Sequence, residues 1–247
     1  MNKKATTFYS FFFLSLLSAQ FSFSQNLKSD SVFLATSVSN VISVHAKILN
    51  QESHLYNGPQ YVNYDRGFVG HQFFQNDEIT EGTVTYDNLL FRDVPLLYDT
   101  VLDQLVVEGL TNGNSIKLIS EKVKDFTYND HHFYRLQKDS LYSNLPQAGF
   151  YEFLLDGKIK LLAKRKKEIQ EVKETDGIYK VFELKDKFYV LKGNKLFEVD
   201  KKRTILSLLP EKRKELQAFA RTNKINFKHK REDALVKIVR HYNSLPQ

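Results

Sequence analysis

Four aspartates, Asp87, Asp93, Asp99 and Asp103, crowd the stretch DNLLFRDVPLLYDTVLDQLVV, the first three at a constant interval of six. Carboxylates repeated in this way could ligate a cation or supply the acid and base of a hydrolase. A calcium loop that begins at Asp87 would need glycine at its sixth position and a bidentate acid at its twelfth, and these positions hold Arg92 and Tyr98. Catalytic carboxylates must be held close together on facing elements, whereas each of these follows an apolar or aromatic run. Aspartate is favoured at strand ends because its side chain bonds nearby backbone amides. The four are therefore read as punctuation between short strands. Asp93, Asp99 and Asp103 remain the first suspects for a hydrolase.

The histidines, His45, His54, His71, His131, His132, His229 and His241, form neither an HExxH nor an HxH ligand pattern. No GxSxG elbow is present, and Gly67 and Gly70 match neither a phosphate loop nor a dinucleotide fingerprint. With no cysteine, the chain has no disulfide framework, thiol nucleophile, thiolate metal site or lipid-acylation point. No catalytic residue, cofactor or metal ligand is assigned, and a binding or interaction protein is expected rather than an enzyme.

The elements that position these residues begin with MNKKATTFYSFFFLSLLSAQFSFSQ, a positive start, a short apolar run and small residues at Ser22 and Ser24. That order predicts a signal peptide over residues 1–24, with the mature chain starting at Gln25 in the periplasm or outside the cell. Serines and Gln20 interrupt the run, which is short for a membrane span, and no later segment approaches the roughly 20 apolar residues one needs. Residues 31–50 are expected to form a helix. An aromatic loop rich in turn formers follows.

From Gly82 to about residue 200, short branched and aromatic runs alternate with Asp87-Asn88, Asn112-Gly113-Asn114, Asn129-Asp130, Asp156-Gly157 and Gly193-Asn194. This predicts an α+β fold whose β-rich core is an antiparallel sheet, sandwich or open barrel, formed by one domain over residues 25–200. Lysines that alternate with apolar residues after Gly149 suggest a sheet with one wet face.

Beyond residue 201 the period becomes helical. Leu216, Phe219 and Ala220 share one stripe, as do Leu235, Ile238, Val239 and Tyr242, so a C-terminal helical pair over 201–247 is expected to pack on the same unit. This tail holds 13 Lys and Arg against 4 Asp and Glu, in a chain whose whole net charge is +7, so the remainder is slightly acidic. The tail's Lys212, Arg213, Lys214, Arg221, Lys230, Arg231, Lys237 and Arg240 are the candidate anionic-surface residues, for a membrane surface or an acidic envelope protein. Export argues against a nucleic-acid partner. A periplasmic carrier that encloses an amphiphile in a β bag is an alternative, resting on Phe 20 and Tyr 13.

The phrases LYNGPQY, GHQFF, GTVTYDNLLFRDVPLLYD, SEKVKDF, GFYEFLLDGKIKLLAKRKK and KRKELQAFARTNKINFK together resemble a family of uncharacterised exported proteins common in the Bacteroidetes. The likeness spans about residues 50–245 and departs at Gln72, where a proline is expected. It implies a Gram-negative cell envelope and a single folded unit. It carries no assigned activity.

Overall fold

The computed structural model describes residues 36–39, 41–42, 54–64, 67–109, 114–138, 142, 144–175 and 177–246. The chain divides between Lys47 and Ile48 into two units. In the first, residues 36–39 and 41–42 are helical, within the helix expected over 31–50. The expected signal peptide lies outside the described residues.

The second unit carries thirteen strands among its described residues: β1 (Phe68–Val69), β2 (Thr80–Tyr86), β3 (Leu89–Asp99), β4 (Gln104–Glu108), β5 (Ser115–Lys117), β6 (Val123–Tyr128), β7 (His131–Leu136), β8 (Gly149–Leu155), β9 (Lys160–Lys164), β10 (Lys167–Glu174), β11 (Gly177–Leu184), β12 (Lys187–Lys192) and β13 (Lys195–Glu198). Ten form one antiparallel sheet in the order β13-β12-β9-β8-β7-β6-β2-β3-β4-β5. Both β blocks of the sequence thus enter a single sheet, joined where β7 pairs with β8. A separate three-stranded sheet places β11 between β10 and the parallel strand β1.

Local chemistry sets the turns. Asp87-Asn88 (φ 48° and 65°) and Asn129-Asp130 (φ 47° and 63°) are left-handed pairs that close the β2–β3 and β6–β7 hairpins. Such two-residue loops match the twist of the strands they join, and Asn and Asp tolerate that backbone. Asp93 (φ 52°) occupies a bulge opposite the register shift between Gly82 and Val84, and Asp103 (φ 56°) ends the β3–β4 turn.

The large sheet curls. Strands lie about 4.8 Å apart, so β3 and β8, four intervals distant in a flat sheet, would be separated by roughly 19 Å. Yet the Tyr98 and Phe150 rings stand 6.0 Å apart. Tyr98, Phe126, Phe133 and Phe150 fill this inner face, with Phe126 stacked on Phe133 at 4.7 Å. Farther along the same face, Leu161, Ala163, Phe188 and Val190 pack beneath three helices: α1 (Lys202–Leu208), α2 (Arg213–Thr222) and α3 (Arg231–Ser244).

The expected helical pair is present as α2 and α3, and residues 202–208 add a short helix, α1, that ends just before Pro210. Pro210 opens the 3-10 turn leading into α2, and Glu232 and Asp233 lie in the first turn of α3. Leu216 and Ala220 of α2 and Leu235, Ile238 and Val239 of α3 bury the predicted stripes.

The wet-face reading after Gly149 needs correction. Tyr151, Leu162, Tyr189 and Leu191 form another core on the opposite face of the sheet, so β9 and β12 are covered on both sides. Lys164 and Lys167 are buried as well.

Candidate functional site

The predicted basic residues sit on α2, on α3 and at their junctions. Arg213, Lys214, Arg221, Lys230, Arg231, Lys237 and Arg240 are exposed and Lys212 is half-buried. Three have local partners: Lys212 approaches Glu215 at 3.5 Å, Lys237 pairs with Asp233 at 2.8 Å, and Arg231 donates to the Asp186 carbonyl at 3.0 Å. Among the described residues, no carboxylate pairs with Arg213, Lys214, Arg221, Lys230 or Arg240. The helical period explains the arrangement: Lys214 and Arg221 are seven apart, two turns, and therefore share a face, while the apolar stripes are used in packing.

A second charged assembly, missed in the sequence, lies inside the molecule. The run Lys164-Arg165-Lys166-Lys167 crosses the joint between β9 and β10, at the seam between the aromatic core and the core beneath the helices. Arg165, 5% exposed, donates bidentately to Glu232 (2.6 and 3.0 Å), through Nε to Glu152 (2.6 Å) and through Nη1 to Asp186 (2.8 Å). Burial alone would push the guanidinium down, but the hydrogen bonds and charges of Glu232, Glu152 and Asp186 outweigh it and hold Arg165 above its ordinary value. These carboxylates come from β8, from the β11–β12 joint and from the start of α3. One side chain thus fastens both sheets and a helix.

Its neighbours work alike. Lys164 Nζ reaches Asp103 at 2.5 Å and the Phe150 carbonyl at 3.0 Å, while the Tyr98 hydroxyl donates to Asp103 at 2.6 Å. Burial pushes the Lys164 ammonium down, against the charge of Asp103. Lys167 Nζ donates to the carbonyls of His71 and Phe73, both at 2.7 Å, and burial pushes it down too. Gly149 makes room for the Asp103–Lys164 pair, since a side chain there would collide with both groups and its φ of +147° also suits glycine.

Of the suspected hydrolytic aspartates, Asp99 and Asp103 flank the β3–β4 turn, where the charge of Asp103 is felt at Asp99, but each is bonded to partners of its own. Asp93 is exposed in its bulge. Asp99 is buried at the end of β3, where Oδ1 accepts the amides of Val101 and Leu102 at 2.9 Å and Oδ2 accepts the Tyr61 hydroxyl at 2.8 Å. Burial pushes its carboxyl up, against those hydrogen bonds. Punctuation is the local role of these residues, and for Asp99 and Asp103 it is joined by long-range anchoring.

A pocket of about 260 Å³ lies beside the buried assembly, lined in part by Phe74, His131, Arg165, Lys167, Asp186 and Glu232. Both ring nitrogens of His131 are engaged, Nδ1 with Glu152 at 2.5 Å and Nε2 with the Gln75 amide at 2.7 Å. Asp186 and Glu232 are already directed at Arg165. The arrangement therefore offers compensated charge rather than a poised acid and base. Among the described residues, no group of three His, Asp or Glu is placed to hold a metal ion, and no helix is long and apolar enough to cross a membrane.

One signal for the buried assembly was available in the sequence: Arg165 and Lys167 stand at the boundary between an apolar run and the next strand. Their partners are 13 to 67 residues away for Arg165 and 94 or more for Lys167, beyond any local pattern. No family model, curated protein or solved structure matches this chain.

Proposed function

We propose that this chain is an exported cell-envelope binding protein, not an enzyme, whose basic α2–α3 surface meets an anionic membrane. The observation that carries the reading is the set of five exposed cations, Arg213, Lys214, Arg221, Lys230 and Arg240, left without carboxylate partners among the described residues while the apolar faces of both helices are buried. A basic side chain near an anionic surface contributes about 1 kcal/mol, and the attraction decays within about 10 Å at 0.1 M salt. The signal-like first 24 residues and the resemblance over residues 50–245 support an envelope location. The alternatives have less support: the aromatic interior is filled by its own rings, and Asp93, Asp99 and Asp103 face different surroundings.

The test is cosedimentation of the chain from Gln25 onward with phosphatidylglycerol vesicles and with neutral phosphatidylcholine vesicles. Binding should appear on the anionic vesicles at low salt, fade as salt rises, and weaken in a Lys214→Gln/Arg221→Gln variant. Equal binding to both vesicle types would overturn the reading. Binding to neither would return the question to an acidic protein partner. N-terminal sequencing of the envelope form should give Gln25, and retention of Met1 would remove the export step.

A further inference from the structure

Two hollows adjoin and share Asp200 and Arg231. The larger, about 680 Å³, is walled by Asp200, Lys201, Phe227, Lys228, His229 and Arg231, which belong to the β13–α1 connection, the α2–α3 loop and the start of α3. Its single carboxylate is already engaged, since Asp200 accepts the Thr204 hydroxyl at 2.9 Å and pairs with Lys201 at 3.2 Å. Those two neighbours hold the Asp200 carboxyl below its ordinary value. The charge left over in the hollow is positive.

Arg231 is set in place before any ligand arrives. Its guanidinium lies 5.2 Å from the centre of the Phe188 ring, and one Nη2 hydrogen goes to the Asp186 carbonyl at 3.0 Å. Among the described residues, no carboxylate pairs with it. A guanidinium held by a ring and a carbonyl loses little further freedom when it grips a second group, and its planar fork matches two oxygens of a phosphate. The α2–α3 loop is ordered by its own chemistry. Asn226 Oδ1 accepts the amides of Lys228 at 3.0 Å and of His229 at 3.1 Å, which fixes the backbone that carries both basic side chains. Phe227, half-buried against the core beneath the helices, adds an apolar surface to the hollow suited to the carbon skeleton that bears a phosphate.

We propose that this hollow binds a phosphate ester, with the Arg231 fork on two of its oxygens and Lys228 and His229 on the remainder. The inference rests on the reading of the C-terminal region as an anion-binding surface, and it gives that surface a definite site. The ester can belong to a lipid headgroup or to a soluble metabolite.

Two parallel measurements on the chain from Gln25 onward test it at low salt: calorimetric titration with glycerol 3-phosphate, and binding to phosphatidylglycerol vesicles. The soluble probe should saturate a single site. Arg231→Gln should weaken it about tenfold or more, and Arg231→Lys, which keeps the charge but loses the fork, should also weaken it. The loop variant Lys228→Gln/His229→Gln serves as a second probe should Arg231→Gln prove unstable on thermal unfolding. Lys214→Gln/Arg221→Gln, outside the hollow, should leave the glycerol 3-phosphate affinity unchanged while it weakens vesicle binding. Absence of saturable binding, or equal affinity in wild type and Arg231→Gln, would overturn the site and leave the vesicle arm to judge the broader surface. Saturable binding lost in Arg231→Gln, with no binding to vesicles, would support the site and assign it to a soluble ester.

Discussion

The tripeptide Lys-Arg-Lys occurs twice in this chain, at residues 164–166 and at residues 212–214. In the first copy Lys164 and Arg165 are buried and each is held by carboxylates from distant segments. In the second, Arg213 and Lys214 are exposed without ionic partners among the described residues, and Lys212 has only a neighbour one helical turn away. The letters are the same, so the difference comes from placement. One copy sits where two apolar cores meet, and there every cation must be compensated or cost several kcal/mol. The other sits at the start of an amphipathic helix, and water solvates whatever the core does not cover.

The largest test of that contrast is Arg165→Ala. It leaves Glu152, 4% exposed, with the half-buried His131 ring in place of a fixed cation, and should cost about 3–5 kcal/mol in urea-induced unfolding. A loss near zero would show that the assembly is not needed to hold α3 and the sheets together. Next comes Gly149→Ala, which forces a side chain against the Asp103–Lys164 pair at a positive φ and should cost about 1–3 kcal/mol by the same assay. If the variant unfolds like wild type, the pair has room to move and is not tightly held.

A smaller effect depends on pH. Asp99 has its carboxyl pushed above the unfolded value of about 3.9, so the folded state binds a proton more readily than the unfolded state. The contribution of this group to stability is therefore fully present below the unfolded pKa and is lost as pH rises through the folded pKa. Measured from about pH 3.5 to neutrality, the stability difference between wild type and Asp99→Asn should drift in favour of the variant as pH rises, then level off. A drift in the opposite direction would mean that the Tyr61, Val101 and Leu102 hydrogen bonds outweigh burial. The smallest effect is expected in the second copy and its surroundings: Lys214→Gln/Arg221→Gln should change unfolding stability by no more than about 0.5 kcal/mol. A larger loss would mean that the tail's charges are structural after all.

Much of the architecture is legible in the amino-acid sequence. The Asp87-Asn88 and Asn129-Asp130 hairpins follow from residues that accept a left-handed backbone, and the stripes of α2 and α3 follow from a period of 3.6. The aspartates were legible as turn residues but not as anchors. Asp103 meets Lys164 across 61 residues, and Asp99 meets Tyr61 across 38. The lysines after Gly149 misled because alternation shows which residues share a face and leaves open whether a second layer covers that face.

The sequence by itself determined the turns, the strand-rich core, the closing helices and the surplus of positive charge in the tail. Each depends on backbone preference, periodicity or composition within a few residues. Only the tertiary structure decided that the sheet curls until Tyr98 meets Phe150, that Lys164 and Arg165 become buried ties, and that Arg231 rests on Phe188 beside a cationic hollow. Such outcomes depend on which distant surfaces exclude water from one another. Exclusion of water turns a solvated cation into one that must find its carboxylates.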